Sequence, residues 1–418
     1  MKPTILSALL LLFALSCTRL GDDNPPLPQV NGNEPDSGTS AHFNFGRLIS
    51  IKDSMSVYDA STGRLLIKTP PYGILFGAAI NNTTVSDSLA YQPSPGRLLA
   101  MNINTGKIHY LKHFSYLYGG VSTCFPVIDS PYLYQGAYNN LGHFKLFCIK
   151  KNTGETVWES QASISYDQTP YKPSLTQTAN TILVDMIDGP ACFDKATGNL
   201  IWRNNSNTEF VKLNVHPYVY DGKLFVTSSQ YHAVYAFDAT HGKFLWKTPL
   251  PTTSSVLSGP VYAWQNTLFA LTQESTNSRN IVMHCIDINT GAVTRTRQYP
   301  LAQWYIQYYN EYFYTYENVN QTFFPQRISK RLLSDGSVVW SKDLEGGIYD
   351  GVIITPAFVY CTETDPVNTS SWQRMNILDH NNGKILKTFP LFTNLSFAPV
   401  VMDSTGKAWQ PARWFVPS

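Results

Sequence analysis

The sequence predicts an all-β fold, an eight-bladed β-propeller of four-stranded antiparallel blades, with seven blades as the alternative count. Three observations carry this expectation. A segment of fourteen residues, "ACFDKATGNLIWRN" at 191–204, returns as "YAFDATHGKFLWKT" at 235–248 and "HCIDINTGAVTRTR" at 284–297. Aligned on its glycine, it occurs eight times, at Gly63, Gly106, Gly154, Gly198, Gly242, Gly291, Gly336 and Gly383, every 43 to 49 residues. Each copy follows another pair of short apolar runs, and no stretch shows the period of an amphipathic helix. Four short strands in a unit of about 46 residues is the dimension of a propeller blade.

Composition agrees with that architecture. Charged residues make up 14% of the 418 and aromatics 13%, where soluble domains carry roughly 25% charge. Sheets covered on both faces leave few side chains to meet water. The net charge is +2, and Lys and Arg are scattered along the chain. Nucleic acid needs a dense basic footprint, so no nucleic-acid partner is expected.

Taken in order, residues 1–16 read as a signal peptide. Lys2 precedes "ILSALLLLFALS", an apolar run too short for a spanning helix and ending in small residues. Cys17 follows directly and reads as a lipidation site, in the manner of a bacterial lipobox, although Leu15 stands two residues before it and not three. An ordinary cleavage after Ala14-Leu15-Ser16 is the alternative. Residues 17–44 then form the lipidated Cys and a tether. They are rich in Pro, Gly, Asn, Asp and Ser and too poor in apolar side chains to order themselves. Residues 45–418 form a single propeller domain.

Within each repeat the residues divide the work. Val234, Ala236 and Asp238 alternate with Tyr235 and Phe237, the period of a strand. Asp59, Asn102, Asp194, Asp238, Asp287 and Asp379 stand four residues before their glycines, where a carboxylate or amide accepts from backbone N–H groups ahead of it. The glycine then takes the left-handed conformation that ends a short hairpin loop. Trp158, Trp202, Trp246 and Trp340 follow four residues later, with Tyr110 in another copy, as flat rings for packing between blades. Upstream, Asp221-Gly222 and Asn310-Glu311 mark the turns of the other hairpin in their units. Since only "FNFGRLISIKD" precedes the first hairpin, the C-terminal strands are expected to complete the N-terminal blade and close the ring.

The remaining chemistry-bearing residues are weighed against that scaffold. Cys124, Cys148, Cys192, Cys285 and Cys361 are odd in number and widely spaced. Three of them stand six residues before a repeat glycine, where other copies have Ala100 and Ala236, so they read as small packing residues. His109 and His113 share one strand face without a carboxylate or Cys beside them, and no metal site is expected. The sharpest ligand candidate is the aromatic stretch 303–317, in which Trp304, Tyr308, Tyr309 and Tyr312 could form a stacking platform for a glycan or peptide. Its alternative is packing between blades.

The pattern Ala236-x-Asp238-x-x-x-Gly242-x-x-x-Trp246 resembles the repeat of the PQQ-like (quinoprotein-like) β-propeller family. Only the fifth copy is complete; Ile67, Arg295 and Lys387 replace the Trp in copies one, six and eight. The family's dehydrogenases are implied to carry a vicinal Cys-Cys pair against the quinone, and no two cysteines are adjacent here. The resemblance therefore implies no catalytic residue, no cofactor and no metal. It points to the branch of lipoprotein propellers in the outer-membrane β-barrel assembly machinery. The expected protein is an outer-membrane lipoprotein of a Gram-negative bacterium, facing the periplasm or the cell surface. It would be a non-enzymatic scaffold that meets membrane or envelope proteins through rim loops. A cell-surface glycan-binding lipoprotein and an enzyme built from rim loops are the rivals.

Overall fold

The computed structural model describes residues 47–409 apart from 52–54, 60–63, 70–83, 95, 115–125, 139–142, 162–163, 166–173, 186–188, 205–216, 229–230, 252–260, 274–279, 301–305, 320–325, 365–372, 392–399 and 403–407. The described chain is entirely strand and turn, arranged in eight antiparallel sheets. Blade five shows the pattern: Tyr218–Tyr220, Lys223–Ser228, Ala233–Asp238 and Phe244–Pro249 pair in sequence order. Blades two, four, six, seven and eight repeat it, and blade three adds the short strand Ile164–Ser165. Blade one draws on both ends of the unit. Arg47–Ile51 pairs with Met55–Asp59 on one side and with Val400–Met402 on the other, in the register Arg47↔Met402 and Ile49↔Val400. That pairing of the two ends is what a closed ring of blades requires.

One local device recurs in all eight blades. The register between the third and fourth strands slips by one residue, between Ala236 and Phe237 in blade five and at the equivalent pair elsewhere. Such a bulge sharpens twist and leaves one residue unpaired. It also turns side chains outward. The large hydrophobics exposed among the described residues, Phe244 and Leu245 in blade five among them, all lie two or three residues past a turn glycine.

The core is a succession of seams between neighbouring blades. Phe225, Val234, Ala236 and Trp246 of blade five pack on Ala263, Leu268, Ala270 and Ile286 of blade six. Equivalent seams join blades one to two, two to three, three to four, four to five, six to seven and seven to eight. Each blade is thus apolar on both faces, which explains the low charge content.

A row across three strands faces each following blade. It runs Phe225–Ala236–Trp246 in blade five, Tyr134–Cys148–Trp158 in blade three and Leu183–Cys192–Trp202 in blade four. The middle residue must be small because large side chains flank it and the next blade covers it. Cys148, Cys192, Cys285 and Cys361 are buried and free. Burial pushes the thiols of Cys148 and Cys192 up to about 11.

Candidate functional site

In a four-stranded antiparallel blade, the first and last hairpin turns fall at the same end of the sheet, so one rim collects both. The last hairpin turns are built as the repeat suggests. Asp238 Oδ1 accepts from the N–H groups of Thr240 and His241 at 2.8 Å each. Asp194, Asp287, Asp379 and Asn102 accept in the same way from residues two or three ahead. These bonds, together with the Thr197 hydroxyl that donates to Asp194 and is its largest influence, hold the carboxyls of Asp194, Asp238 and Asp287 below the usual carboxylate range. Asp59 donates its own N–H to Arg64 O, while Gly63 lies outside the described residues.

Turn glycines and tryptophans, which the sequence places in separate roles, meet across the seams. Gly242 has φ +69°, and a Cβ there would stand 2.5 Å from the Trp202 ring of the preceding blade. Gly198 faces Trp158, Gly291 faces Trp246, Gly383 faces Trp340 and Gly154 faces Tyr110. Gly106 faces Ile67 and Thr69 of blade one. The indole N–H groups of Trp158, Trp246 and Trp340 donate to carbonyls of Lys195, Ile288 and His380 in the next blade. Blade six lacks the tryptophan. There Gly336 faces Tyr299 and Arg297, and Arg295 and Arg297 both donate to Ser334 O, at 2.7 and 2.9 Å.

The first hairpin turns gather the aromatic candidates. Asp221 and Asn310 have φ +50° and +51°, the tight turns expected at Asp221-Gly222 and Asn310-Glu311. Trp304 lies outside the described residues. Tyr308 does not offer a free face: it stacks on Tyr262 with centroids 4.8 Å apart and planes at 3°, and its hydroxyl is buried. Tyr262 in turn meets Tyr218 at 6.0 Å, and its hydroxyl donates to Asn310 O at 3.1 Å. Burial and its tyrosine neighbours push Tyr262 up to about 12. These contacts tie blades five, six and seven together, with Tyr218 and Tyr262 contributing although the sequence pattern did not single them out. Their signal was there, in the matching positions of "YVYDG" and "YAWQN".

Tyr309 and Tyr312 remain half-buried at the rim and present their rings to His380 of blade eight, at 5.2 and 6.2 Å. Beneath Tyr312 lies Lys330, its Nζ 3.8 Å from the ring centroid and 3.0 Å from His380 O. Burial lowers the ammonium from its ordinary value. His380 is pushed down to about 4 by burial and then by Lys330.

At the opposite ends of the strands, blades six to eight bury polar groups. His284 pairs with Thr272 at 2.9 Å and is pushed down to about 4 by burial. In blade seven Arg331 reaches from the last hairpin turn, where it donates to Gly336 O, toward Thr315 and Glu317, to which it also donates. Glu363 takes two bonds from Arg374, one from Asn376 and one from the Gly346 N–H. Burial alone would raise Glu363, yet those donors leave it below its ordinary value. Elsewhere, His109 and His113 are exposed, and a ring nitrogen of His109 lies 2.7 Å from Asn152 O. Among the described residues no three His, Cys, Asp or Glu side chains come together as metal ligands.

Eight bulged antiparallel blades, with Gly154, Gly198, Gly242, Gly291 and Gly383 each seated on an aromatic ring of the preceding blade, define a β-propeller built from PQQ-like repeats. A family model described as outer membrane protein assembly factor BamB matches residues 142–389, more than half of the chain, and the chain belongs to that family. Solved structures with TM-scores above 0.5 carry the same fold at low identity. Dihydro-heme d1 dehydrogenase NirN in complex with DHE is 13% identical with a TM-score of 0.59, over 86% of this chain and 76% of that one. The computationally designed Ika8 protein is 12% identical with a TM-score of 0.54, over 80% and 95%. BamB from Moraxella catarrhalis is 15% identical with a TM-score of 0.42, over 88% and 96%. No curated protein sequence matches the chain.

Proposed function

We propose that this protein is a non-catalytic docking scaffold, anchored at the outer membrane through a lipidated Cys17 and serving the assembly of outer-membrane proteins. The observation that carries the reading is the match of residues 142–389 to the outer-membrane assembly factor family. The repeat chemistry is compatible with it. The turn carboxylates, the glycines and the indole N–H groups of Trp158, Trp246 and Trp340 are engaged in holding turns and seams together. A rigid disc with two rims of loops suits protein–protein contact. Partners would be membrane or envelope proteins met through rim loops, and the reading needs no cofactor.

The test is a crosslinked pull-down of the full-length protein from its own membranes, with mass-spectrometric identification. Recovery of barrel-assembly subunits, lost on mutating rim loops, supports the scaffold. Recovery of transporters or glycan-handling proteins in their place overturns it.

A further inference from the structure

On the face of blade seven turned toward blade eight, Tyr314, Lys330 and Trp340 stand side by side across three strands. Every other blade has a small or aliphatic residue in the middle place: Val57, Ala100, Cys148, Cys192, Ala236, Cys285 or Ile377. Packing therefore does not call for a lysine there. Lys330 is 2% exposed. Of its three N–H donors, one meets the His380 carbonyl and the Tyr312 ring covers another side. Among the described residues no carboxylate comes within ion-pair distance; Glu311 and Asp379 act on it only from farther away. Tyr314, its partner across the strands, is fully buried, and its hydroxyl has no hydrogen-bond partner among the described residues. Buried donors are normally satisfied, and two such groups at one seam call for an acceptor.

The same rim shows how this chain otherwise treats a buried lysine. Lys151 meets Asp87 at 2.5 Å, and Lys195 meets Asp129 at 2.7 Å. Each aspartate comes from the first hairpin turn of the preceding blade. The corresponding turn of blade seven holds Tyr309, Asn310 and Glu311, and Glu311 stands beyond ion-pair distance of Lys330.

We propose that Lys330 and Tyr314 form a binding site for a carboxylate carried by a peptide, as an acidic side chain or a free C-terminus, entering between Tyr309 and Tyr312. One ammonium and one hydroxyl donor match a singly charged acceptor; a doubly charged phosphate would ask for a second cation. The Tyr312 ring face holds the open side of the ammonium until the carboxylate displaces it, exchanging a cation–π contact for a charge-assisted hydrogen bond. The half-buried rings of Tyr309 and Tyr312, both facing His380, would flank the carboxylate's entry. The site is a local property of the seam and holds whether or not the chain acts as a scaffold.

Trp340 supplies the reporter, because its indole N–H donates to the same His380 carbonyl at 3.0 Å. The full chain is titrated with the peptide Gly-Gly-Glu and with Gly-Gly-Gln amide, which carries no carboxylate, following the Trp340 indole resonance assigned by its loss in Trp340→Phe. A saturable shift with Gly-Gly-Glu alone is expected. It should weaken by about tenfold or more in Lys330→Met, the worth of one charge-assisted bond. Tyr314→Phe should weaken it less, and Tyr312→Ala should tighten it by uncovering the ammonium. Equal binding by Lys330→Met, an equal response to the amide, or no saturable shift at millimolar peptide would overturn the assignment. Tyr314→Phe, which keeps the ring and its packing, provides the comparison if Lys330→Met does not fold.

Discussion

The glycine–indole contact is the smallest unit from which this molecule is made. Gly222 and Gly242 have nearly the same left-handed φ, +68° and +69°, but only Gly242 has a ring against it. Gly222→Ala should therefore cost about 1 kcal/mol, the price of a left-handed side chain. Gly242→Ala should cost roughly 1–3 kcal/mol more, because Trp202 must move. Denaturant midpoints of the two variants compare these costs, and equal losses would remove the contact from the account. The buried thiols make a second residue-scale case. With Cys148 and Cys192 pushed up to about 11, peptide mapping after thiol labelling of the folded protein at neutral pH should find both unmodified. Both residues were legible in sequence as small packing groups, since Ala100 and Ala236 fill equivalent places. Lys330 was not legible as a site, because only the pairing across strands shows that it stands between Tyr314 and Trp340.

At the scale of the element, the seams differ in how they are held. Trp246→Ala at the seam of blades five and six should cost about 3–5 kcal/mol, the usual figure for a large buried ring. Arg297→Ala at the seam of blades six and seven should cost about 1–2 kcal/mol, since Arg295 keeps its bond to Ser334 O. Thermal unfolding of the two variants orders them, and the reverse order would mean that blade six is held in some other way. Acid should act on blades six and eight. His284 and His380 titrate near 4 in the fold, against about 6.5 in an unfolded chain. Between those values the unfolded chain takes up protons that the folded chain refuses, so stability falls as pH drops from about 6.5 toward 4 and is level above. The loss is on the order of 2 kcal/mol for each histidine after allowance for relaxation on unfolding. Glu363, held below its ordinary value, adds a loss in the same direction as pH falls through the carboxylate range. Urea midpoints measured from pH 7 to 4.5 should show this slope, and His284→Asn should flatten it.

For the whole molecule, the decisive pairing is between Arg47–Ile51 and Val400–Met402. Ending the chain before Val400 would leave the first strand of blade one with an unpaired edge, a template for association between molecules. Such a truncation should lower the thermal midpoint and yield oligomers on size exclusion, whereas loss of residues 1–43 should leave both unchanged. A monomeric truncation of undiminished stability would mean that blade one does not depend on the C-terminal strands. Lys330→Met belongs at this scale as well. Replacing an unpaired buried ammonium with an apolar chain of similar length should stabilise the protein by about 1 kcal/mol, the usual sign of a residue kept for binding and not for folding.

The repeat by itself determined the architecture. Glycine at the hairpin turn, an aspartate or asparagine four residues before it in six of the copies, and alternating apolar strands are local requirements, and local requirements are written in consecutive residues. Eight copies of them gave eight blades and placed the turns at Asp221-Gly222 and Asn310-Glu311. What met across the seams, Gly242 on Trp202 and Tyr308 on Tyr262, was decided only by tertiary structure, as was Lys330 beneath Tyr312 within blade seven with no carboxylate in ion-pair reach among the described residues. Those partners lie 18 to 46 residues apart in the chain, and their meeting depends on strand register and on the repeated bulge. The stacking platform read from 303–317 divided for the same reason. The direction in which each tyrosine points is set by the pleat and the next blade, so Tyr308 turned into the seam while Tyr309 and Tyr312 kept one edge in water.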